Sequence, residues 1–141
     1  MKRVSYLLMT AGLLAGCNWF DDQVPEKARL VIQGDAGKQV RLITSSKFIS
    51  AITEDGLTRV VIVEADTTFV TLPHTATYSL KGQARFFVEA ARQDVDFQTV
   101  RMEVFVDARK QFDEGGPLVV GQPMRFVYTF NQAVTREIEV I

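Results

Sequence analysis

The sequence is poor in the residue types on which metal centres and disulfide-stabilised exported domains depend. Its 141 residues include one cysteine and one histidine. A single cysteine excludes a disulfide within the chain, so a folded domain must rely on its hydrophobic core. Zinc sites usually draw on three or four nitrogen and sulfur ligands, which this chain does not have. We therefore expect no metal site and no cofactor.

Excess basic charge and long apolar runs are also missing. The chain has 16 Lys and Arg against 17 Asp and Glu, a formal net charge of −1. Nucleic-acid binding needs clustered Lys and Arg to displace counterions, so this balance argues against a nucleic-acid partner. The apolar stretch at residues 4–14 is shorter than the roughly 20 residues that a membrane-spanning helix needs. The composition therefore favours neither a nucleic-acid-binding protein nor a spanning helix.

The beginning of the chain has the layout of a secretory signal. The basic start MKR precedes the apolar residues 4–14, and small residues follow them. The next four positions, Leu14-Ala15-Gly16-Cys17, resemble the lipobox of bacterial lipoproteins. The resemblance implies that the Cys17 thiol receives a diacylglyceryl group, that cleavage falls between Gly16 and Cys17, and that the new amino terminus is acylated, for example with palmitate. An unpaired cysteine is otherwise unusual in an exported chain.

This signal divides the chain into three parts. We expect a signal peptide at residues 1–16, a lipidated cysteine and polar tether at 17–27, and a β domain at 28–141. Cleavage would leave 125 residues, the size of one domain. The expected location is the bacterial cell envelope, where the acyl chains on Cys17 would anchor the protein in a membrane. We expect the outer membrane, on its periplasmic or its outer surface.

Hydrophobic periodicity after the signal is that of strands. Residues 100–107 alternate most clearly, with Val100, Met102, Val104 and Val106 on one face. Strand-like stretches separated by turn signals predict an all-β fold. We expect an immunoglobulin-like antiparallel sandwich of about seven to nine strands, with a small barrel as the alternative. Segment 57–64 is predicted to be a buried strand, followed by a break at 65–67. Hairpin turns are predicted at 34–37 and 54–56, and region 108–122 is predicted to contain a loop.

Three segments are similar, in their order, to the small mycobacterial membrane proteins called MmpS. They are VIQGDAGKQVRLIT at 31–44, TLPHTATYSL at 71–80 and VRMEVFVDARK at 100–110. The resemblance covers about half of the chain and implies a β domain that assists a lipid exporter. The chain departs from that family in having a lipobox in place of a transmembrane helix and in lacking paired cysteines.

Polar residues offer no recognisable catalytic pattern. His74, the one histidine, follows Pro73 and is expected in a surface loop, and no Gly-x-Ser-x-Gly motif supplies a serine for it. GDAGK at 34–38 lacks the spacing and the hydroxyl residue of a phosphate-binding loop. The acidic segments 94–96 and 113–115 could supply oxygen ligands to Ca²⁺, but solvated turns are the expected state. We therefore expect no catalytic residue.

Three phenylalanines are the candidate binding residues. Phe105 falls on the polar face of its strand, and Phe86 is adjacent to Phe87, so these two side chains must point to opposite faces. Aromatic residues on both sheet faces predict either a surface for a partner or ligand at Phe86, Phe105 and Phe112, or coverage by segment 108–122 with Phe112 reaching back.

The function expected from the sequence is a non-enzymatic binding or accessory domain. It would be lipid-anchored at Cys17 and would serve a protein complex of the envelope. The alternative is a carrier for an apolar small molecule or lipid, in a cavity lined by Phe86 or Phe126.

Overall fold

Strands form nearly all of the regular structure. The computed structural model describes residues 24–80, 82–93, 98–130, 132–134 and 138–141. Within these residues there are ten strands: β1 Lys27–Gly34, β2 Gln39–Ile52, β3 Thr58–Thr71, β4 His74–Ser79, β5 Arg85–Arg92, β6 Gln98–Val106, β7 Arg109–Leu118, β8 Met124–Thr129, β9 Gln132–Val134 and β10 Ile138–Val140. The all-β prediction is confirmed. None of the described residues belongs to a helix long and apolar enough to cross a membrane.

The strands form two sheets. One has four strands in the order β4-β1-β6-β7, and the other has six in the order β10-β3-β2-β5-β8-β9. All neighbours are antiparallel except β10, which runs parallel to β3. The ten strands and the parallel pair differ from the seven to nine antiparallel strands that the sequence predicts.

The main hydrophobic core lies between the two sheets. The alternation predicted for β6 is confirmed, because Val100, Met102, Val104 and Val106 are all buried in this core. They meet buried residues of the six-stranded sheet, and the remaining side chains of the core come from both sheets: Ala28, Leu30, Ile32, Val40, Leu42, Leu72, Leu80, Phe86, Val88, Ala90, Phe112, Leu118, Phe126 and Tyr128. One face of each sheet is buried against the other sheet, and this burial stabilises the domain without a disulfide.

A second, smaller core lies on the other face of the six-stranded sheet. It consists of Phe48, Val60, Phe87 and Val127, and half-buried residues of β9 and β10 pack against it. Phe86 and Phe87 therefore enter different cores, as the sequence predicts. Because β5 contributes to both clusters through adjacent residues, the two cores are separated by the thickness of one sheet.

The six-stranded sheet must be strongly curled. Its two edge strands, β9 and β10, lie five strand spacings apart, about 24 Å in a flat sheet. Only three residues separate Val134 from Ile138, so the chain between them spans at most about 14 Å. The edges are therefore drawn toward each other, and the sheet wraps around the second core in a nearly barrel-like way.

Bulges allow the long β2–β3 hairpin to contribute side chains to both cores. Register shifts fall between Thr44 and Lys47 and between Lys47 and Phe48, so Val63 has no partner in β2. Val40 and Leu42, before the bulges, lie in the main core, whereas Phe48 lies in the second one. A bulge adds one residue and so exchanges the faces on which side chains emerge.

Several boundaries differ from those that the sequence predicts. Segment 57–64 is not buried on both faces, because Val61 and Val63 are exposed, and no break occurs at 65–67. The turn at 34–37 joins strands of different sheets, so it is not a hairpin turn. The hairpin turn at 54–56 is confirmed, with Thr53 N donating to Leu57 O at 2.9 Å.

Gly34, the last residue of β1, lies close to Leu72 and to the neighbouring strand β6. A Cβ atom built there would lie 2.7 Å from Leu72 Cδ1 and 3.0 Å from the backbone oxygen of Thr99. We expect Gly34→Ala to lower the free energy of unfolding by about 1–2 kcal/mol, because the buried Leu72 and the strand must both shift. Gly116→Ala is the matched control, since a Cβ atom there meets nothing within 4 Å. Urea denaturation measures both; equal stabilities would contradict the expected clash.

Candidate functional site

The predicted lipidation site lies outside the described residues. Gly16 and Cys17 precede residue 24, where the description begins, and the acidic residues at 94–96 also fall in a gap. The structure does describe how the chain enters the domain: the carboxylate oxygen Oδ1 of Asp107 accepts hydrogen bonds from the backbone N–H of Glu26 and Lys27, each at 3.1 Å. The first strand is therefore held firmly where the tether joins it.

Phe86 and Phe112 are core residues. Phe86 is 2% exposed and its ring lies 5.1 Å from that of Tyr78, while Phe112 is 3% exposed and lies 5.2 Å from Phe126. Neither side chain is available as part of an exposed patch, so a partner surface must be sought elsewhere. Their burial follows from the strand period, which turns each of them toward the main core.

Phe105 is the one predicted phenylalanine on an outer face. Its ring is half-buried beneath two cations, with the Arg29 guanidinium carbon 4.2 Å and the Lys110 ammonium nitrogen 5.4 Å from the ring centroid. Phe112 does not reach back over it, because residues 109–118 form strand β7 and Phe112 pairs with Val104 on the core side. Cation–π contacts therefore cover this ring.

The acidic segment at 113–115 is part of β7 and not a turn. Arg101 donates to both carboxylate oxygens of Asp113, at 2.7 and 2.9 Å, and Lys110 bridges Asp113 and Glu103. The hydrogen bonds from Arg101 and then Lys110 hold the pKa of Asp113 well below its usual range. These carboxylates are committed to neighbouring cations in the sheet.

The single histidine also differs from expectation. His74 is the first residue of β4, pairs with Ile32 and is half-buried, so it is not in a loop. In the part of the chain that the structure describes, no three His, Cys, Asp or Glu residues come close enough together to hold a metal ion.

Within the described residues, one side of β3 is unpaired over most of its length. β10 pairs only with Thr58–Val60, and Ile141 N donates to Val60 O at 3.0 Å. Beyond that point no described residue pairs with the outer side of residues 61–71, which we call the open edge. An edge strand presents a row of backbone donors and acceptors to any strand that can reach it.

Side chains along the open edge are exposed on both faces. Val63 is 69% and Phe69 is 57% exposed, and Val61 is 43% exposed. The neighbouring Ile49, which pairs with Val61 across the hairpin, is 60% exposed. Four large apolar side chains therefore lie on or beside a strand with an unused hydrogen-bonding side.

Two carboxylates lie at the middle of the open edge. Glu64 is exposed and pairs with Lys47, and the Ser45 hydroxyl donates to Glu64 O at 2.6 Å. Asp66 is exposed and lies close enough to Tyr78 of β4 to affect its ionisation. Burial raises the pKa of Tyr78, and the negative charge of Asp66 raises it further, while a hydrogen bond with Thr44 opposes them. With Lys47 counted, the middle of the edge has a net negative charge, which comes from Asp66.

A buried carboxylate and two partly exposed arginines form an ion-pair cluster in the six-stranded sheet. Glu89 of β5 accepts from Arg125 Nε at 2.7 Å and from Arg41 Nη2 at 3.5 Å, and its side chain is 7% exposed. Arg125 also donates through Nη1 to the backbone oxygen of Ile138 at 3.1 Å. Sequence reasoning missed this site; its signal was one acidic residue inside the apolar run RFFVEAA at 85–91. The contact joins β8 to β10 and so stabilises the curl.

The same reasoning missed the open edge. The signal was present as VVIVEADTTFVT at 60–71, twelve residues that contain no glycine or proline, but the polar residues at 65–67 were interpreted as a break.

Comparisons of the chain with protein-family models, with curated proteins and with solved structures find no match.

Proposed function

We propose that this protein is a lipid-anchored, non-enzymatic lipoprotein of the bacterial envelope whose β domain binds a protein partner. The observation that carries the proposal is Leu14-Ala15-Gly16-Cys17, placed after a basic start and an apolar run. Two or more acyl chains at Cys17 would give a stable anchor, where one chain is marginal. In this proposal the facing sheets form an immunoglobulin-like sandwich, which their shared core supports.

The position of the tether agrees with an anchored binding domain. The chain enters the domain at Glu26, at an end where three backbone hydrogen bonds link neighbouring segments. Leu80 N donates to Glu26 O at 2.7 Å, Ala84 N donates to Leu80 O, and Phe130 N donates to Ala84 O. We call this the anchor end. The seven residues 17–23 span at most about 25 Å, so the domain stays near the membrane. The open edge runs from the anchor end toward the opposite end, where Thr71 pairs with Gln39.

Confinement near a membrane supports a binding role. A partner embedded in the same membrane meets the domain at a high effective concentration, so a modest surface is sufficient for association. The open edge, which carries exposed apolar and acidic side chains, is the surface that we assign to this partner.

The test is the chemical state of Cys17 in the protein produced with its own leader in a bacterial host. We expect the mass of a cleaved, diacylglyceryl-modified and N-acylated chain, incorporation of a palmitate analogue, and partition into the detergent phase. Cys17→Ser should abolish the label and move the protein to the aqueous phase. Cys17→Ser combined with Ala108→Cys is the control, because it places a thiol in an exposed turn outside the lipobox. An intact leader or an unmodified thiol would overturn the proposal.

A further inference from the structure

We propose that the open edge of β3 binds an extended, cationic segment of the partner by adding it as a further strand to the six-stranded sheet. This inference rests on the proposed function, whose partner class it specifies. Backbone hydrogen bonds would supply affinity, and the alternating side chains of β3 would supply specificity, as in other cases of strand addition.

Backbone geometry supports a strand as the occupant. Residues 61–71, apart from Val63 and Ala65 at the bulges, are paired with β2 on one side, so their backbone is already extended, and no described residue pairs with the other side. An incoming segment would therefore meet donors and acceptors held in place by the β2–β3 ladder. Little ordering of this chain is needed, which lowers the cost of association.

The acidic residues at the centre select a cationic occupant. Glu64 and Asp66 are both exposed and lie two residues apart, so they emerge on the same face of the strand. Lys47 of β2 already pairs with Glu64, whereas Asp66 stands opposite the uncharged Thr44 in the β2–β3 ladder. Lys or Arg at alternate positions of the added strand would lie beside these carboxylates, and opposite charges across a strand pair are favourable.

The same carboxylates disfavour a second copy of this chain as the occupant. In an antiparallel two-fold pairing centred on Asp66, the two Asp66 side chains lie opposite each other. A pairing centred on residue 65 places Glu64 opposite Asp66, and one centred on Glu64 places the two Glu64 side chains together. Like charges directly opposite each other destabilise a strand pair. Charged residues and a bulge, here at Val63, are also how natural edges avoid unselective pairing.

The other face of β3 favours apolar side chains in the added strand. Ala65, Thr67 and Phe69 alternate with the acidic positions, and Phe69 is largely exposed. A segment in which cations alternate with aliphatic residues therefore matches the edge on both faces. Such a segment differs from a helix or a lipid headgroup, neither of which would use the backbone groups of β3.

The experiment uses the mature chain in detergent and four blocked ten-residue peptides. The first alternates lysine and valine, the second alternates glutamate and valine, the third has the lysine–valine sequence with every internal amide N-methylated, and the fourth has its residues in block order. Binding is measured by fluorescence anisotropy near physiological salt, and amide hydrogen exchange reports on residues 61–71. We expect the first peptide to bind and to slow exchange in that segment, and the other three to bind at least about tenfold more weakly.

A variant with exchanged charges distinguishes a change in peptide preference from a loss of binding caused by misfolding. In Glu64→Lys with Asp66→Lys, we expect the preference to reverse, so that the glutamate–valine peptide binds more tightly than the lysine–valine peptide. Glu54→Lys with Asp55→Lys is the matched control, because it makes the same change of net charge at the exposed hairpin turn. That control should keep the original preference.

Each remaining outcome overturns the inference. Equal binding of the N-methylated peptide would mean simple charge attraction, and a reversed preference in the turn variant would place the site elsewhere. Absence of binding by the lysine–valine peptide would also refute it. The outcome is separable from that of the proposed function, because peptide binding does not depend on the chemistry of Cys17 and its lipidation does not depend on the edge.

Discussion

Phe86→Ala and Phe87→Ala are each expected to lower the free energy of unfolding by about 3–5 kcal/mol, the usual cost of removing a buried phenylalanine side chain. The two residues are adjacent in β5 and enter different cores, with exposures of 2% and 0%. Similar losses would show that the small second core is as important for stability as the core between the sheets. Urea denaturation followed by fluorescence and by circular dichroism measures the loss and tests whether one transition is kept.

Phe69→Ala is the control for these variants. It removes the same side chain from a site that is 57% exposed, and a change within about 0.5 kcal/mol is expected. A loss of less than about 1 kcal/mol in Phe87→Ala would mean that the second core is not packed as the structure has it. Two separate transitions in that variant would mean that the curled part of the sheet unfolds by itself.

Arg125→Met is the second change with a large expected effect, a loss of about 3–5 kcal/mol. It leaves the buried Glu89 carboxylate with Arg41 alone, at 3.5 Å, and it deprives the Ile138 carbonyl of its donor. Removing one partner of a buried ion pair costs more than the pair contributes, because the remaining charge cannot be solvated. Thermal and urea denaturation at neutral pH measure the loss.

Arg59→Met is chemically the same change in an exposed pair. Arg59 and Glu139 are 46% and 49% exposed, so a loss of at most about 1 kcal/mol is expected there. The double variant Glu89→Leu with Arg125→Met should be more stable than Arg125→Met alone, since it removes the stranded charge. If the double variant were the less stable of the two, burial of the Glu89 charge would not be the cause.

The sequence was sufficient to predict the fold class and the inner face of the clearest strand. Alternation placed Val100 to Val106 correctly because β6 lies between two strands and buries one face completely. Region 108–122 does contain a turn, at 119–122, but not at Gly115, Gly116 and Pro117, which suggested one and instead lie within β7. β7 pairs with β6 alone, so it has only one side that needs backbone donors, and an edge strand of this kind tolerates proline.

Long-range features of the candidate site were beyond local pattern reasoning. Periodicity assumes one buried face, whereas the middle of β3 is exposed on both, so Asp66 and its neighbours resembled a turn. The opposition of Glu89 to Arg125 depends on which strands are neighbours, and spacing along the chain does not give that. The bulges of the β2–β3 hairpin exchange faces midway and so conceal the alternation on which such predictions depend.

The parallel pairing of β10 with β3 has a practical consequence for handling the protein. Ile141 N donates to Val60 O, and β10 runs in the same direction as β3. Residues fused after Ile141 would thus leave in the direction of the vacant strand position, where even a weakly matching tag would compete with any added peptide. A tag inserted within the turn at 54–56 avoids that interference, because it adds nothing after Ile141.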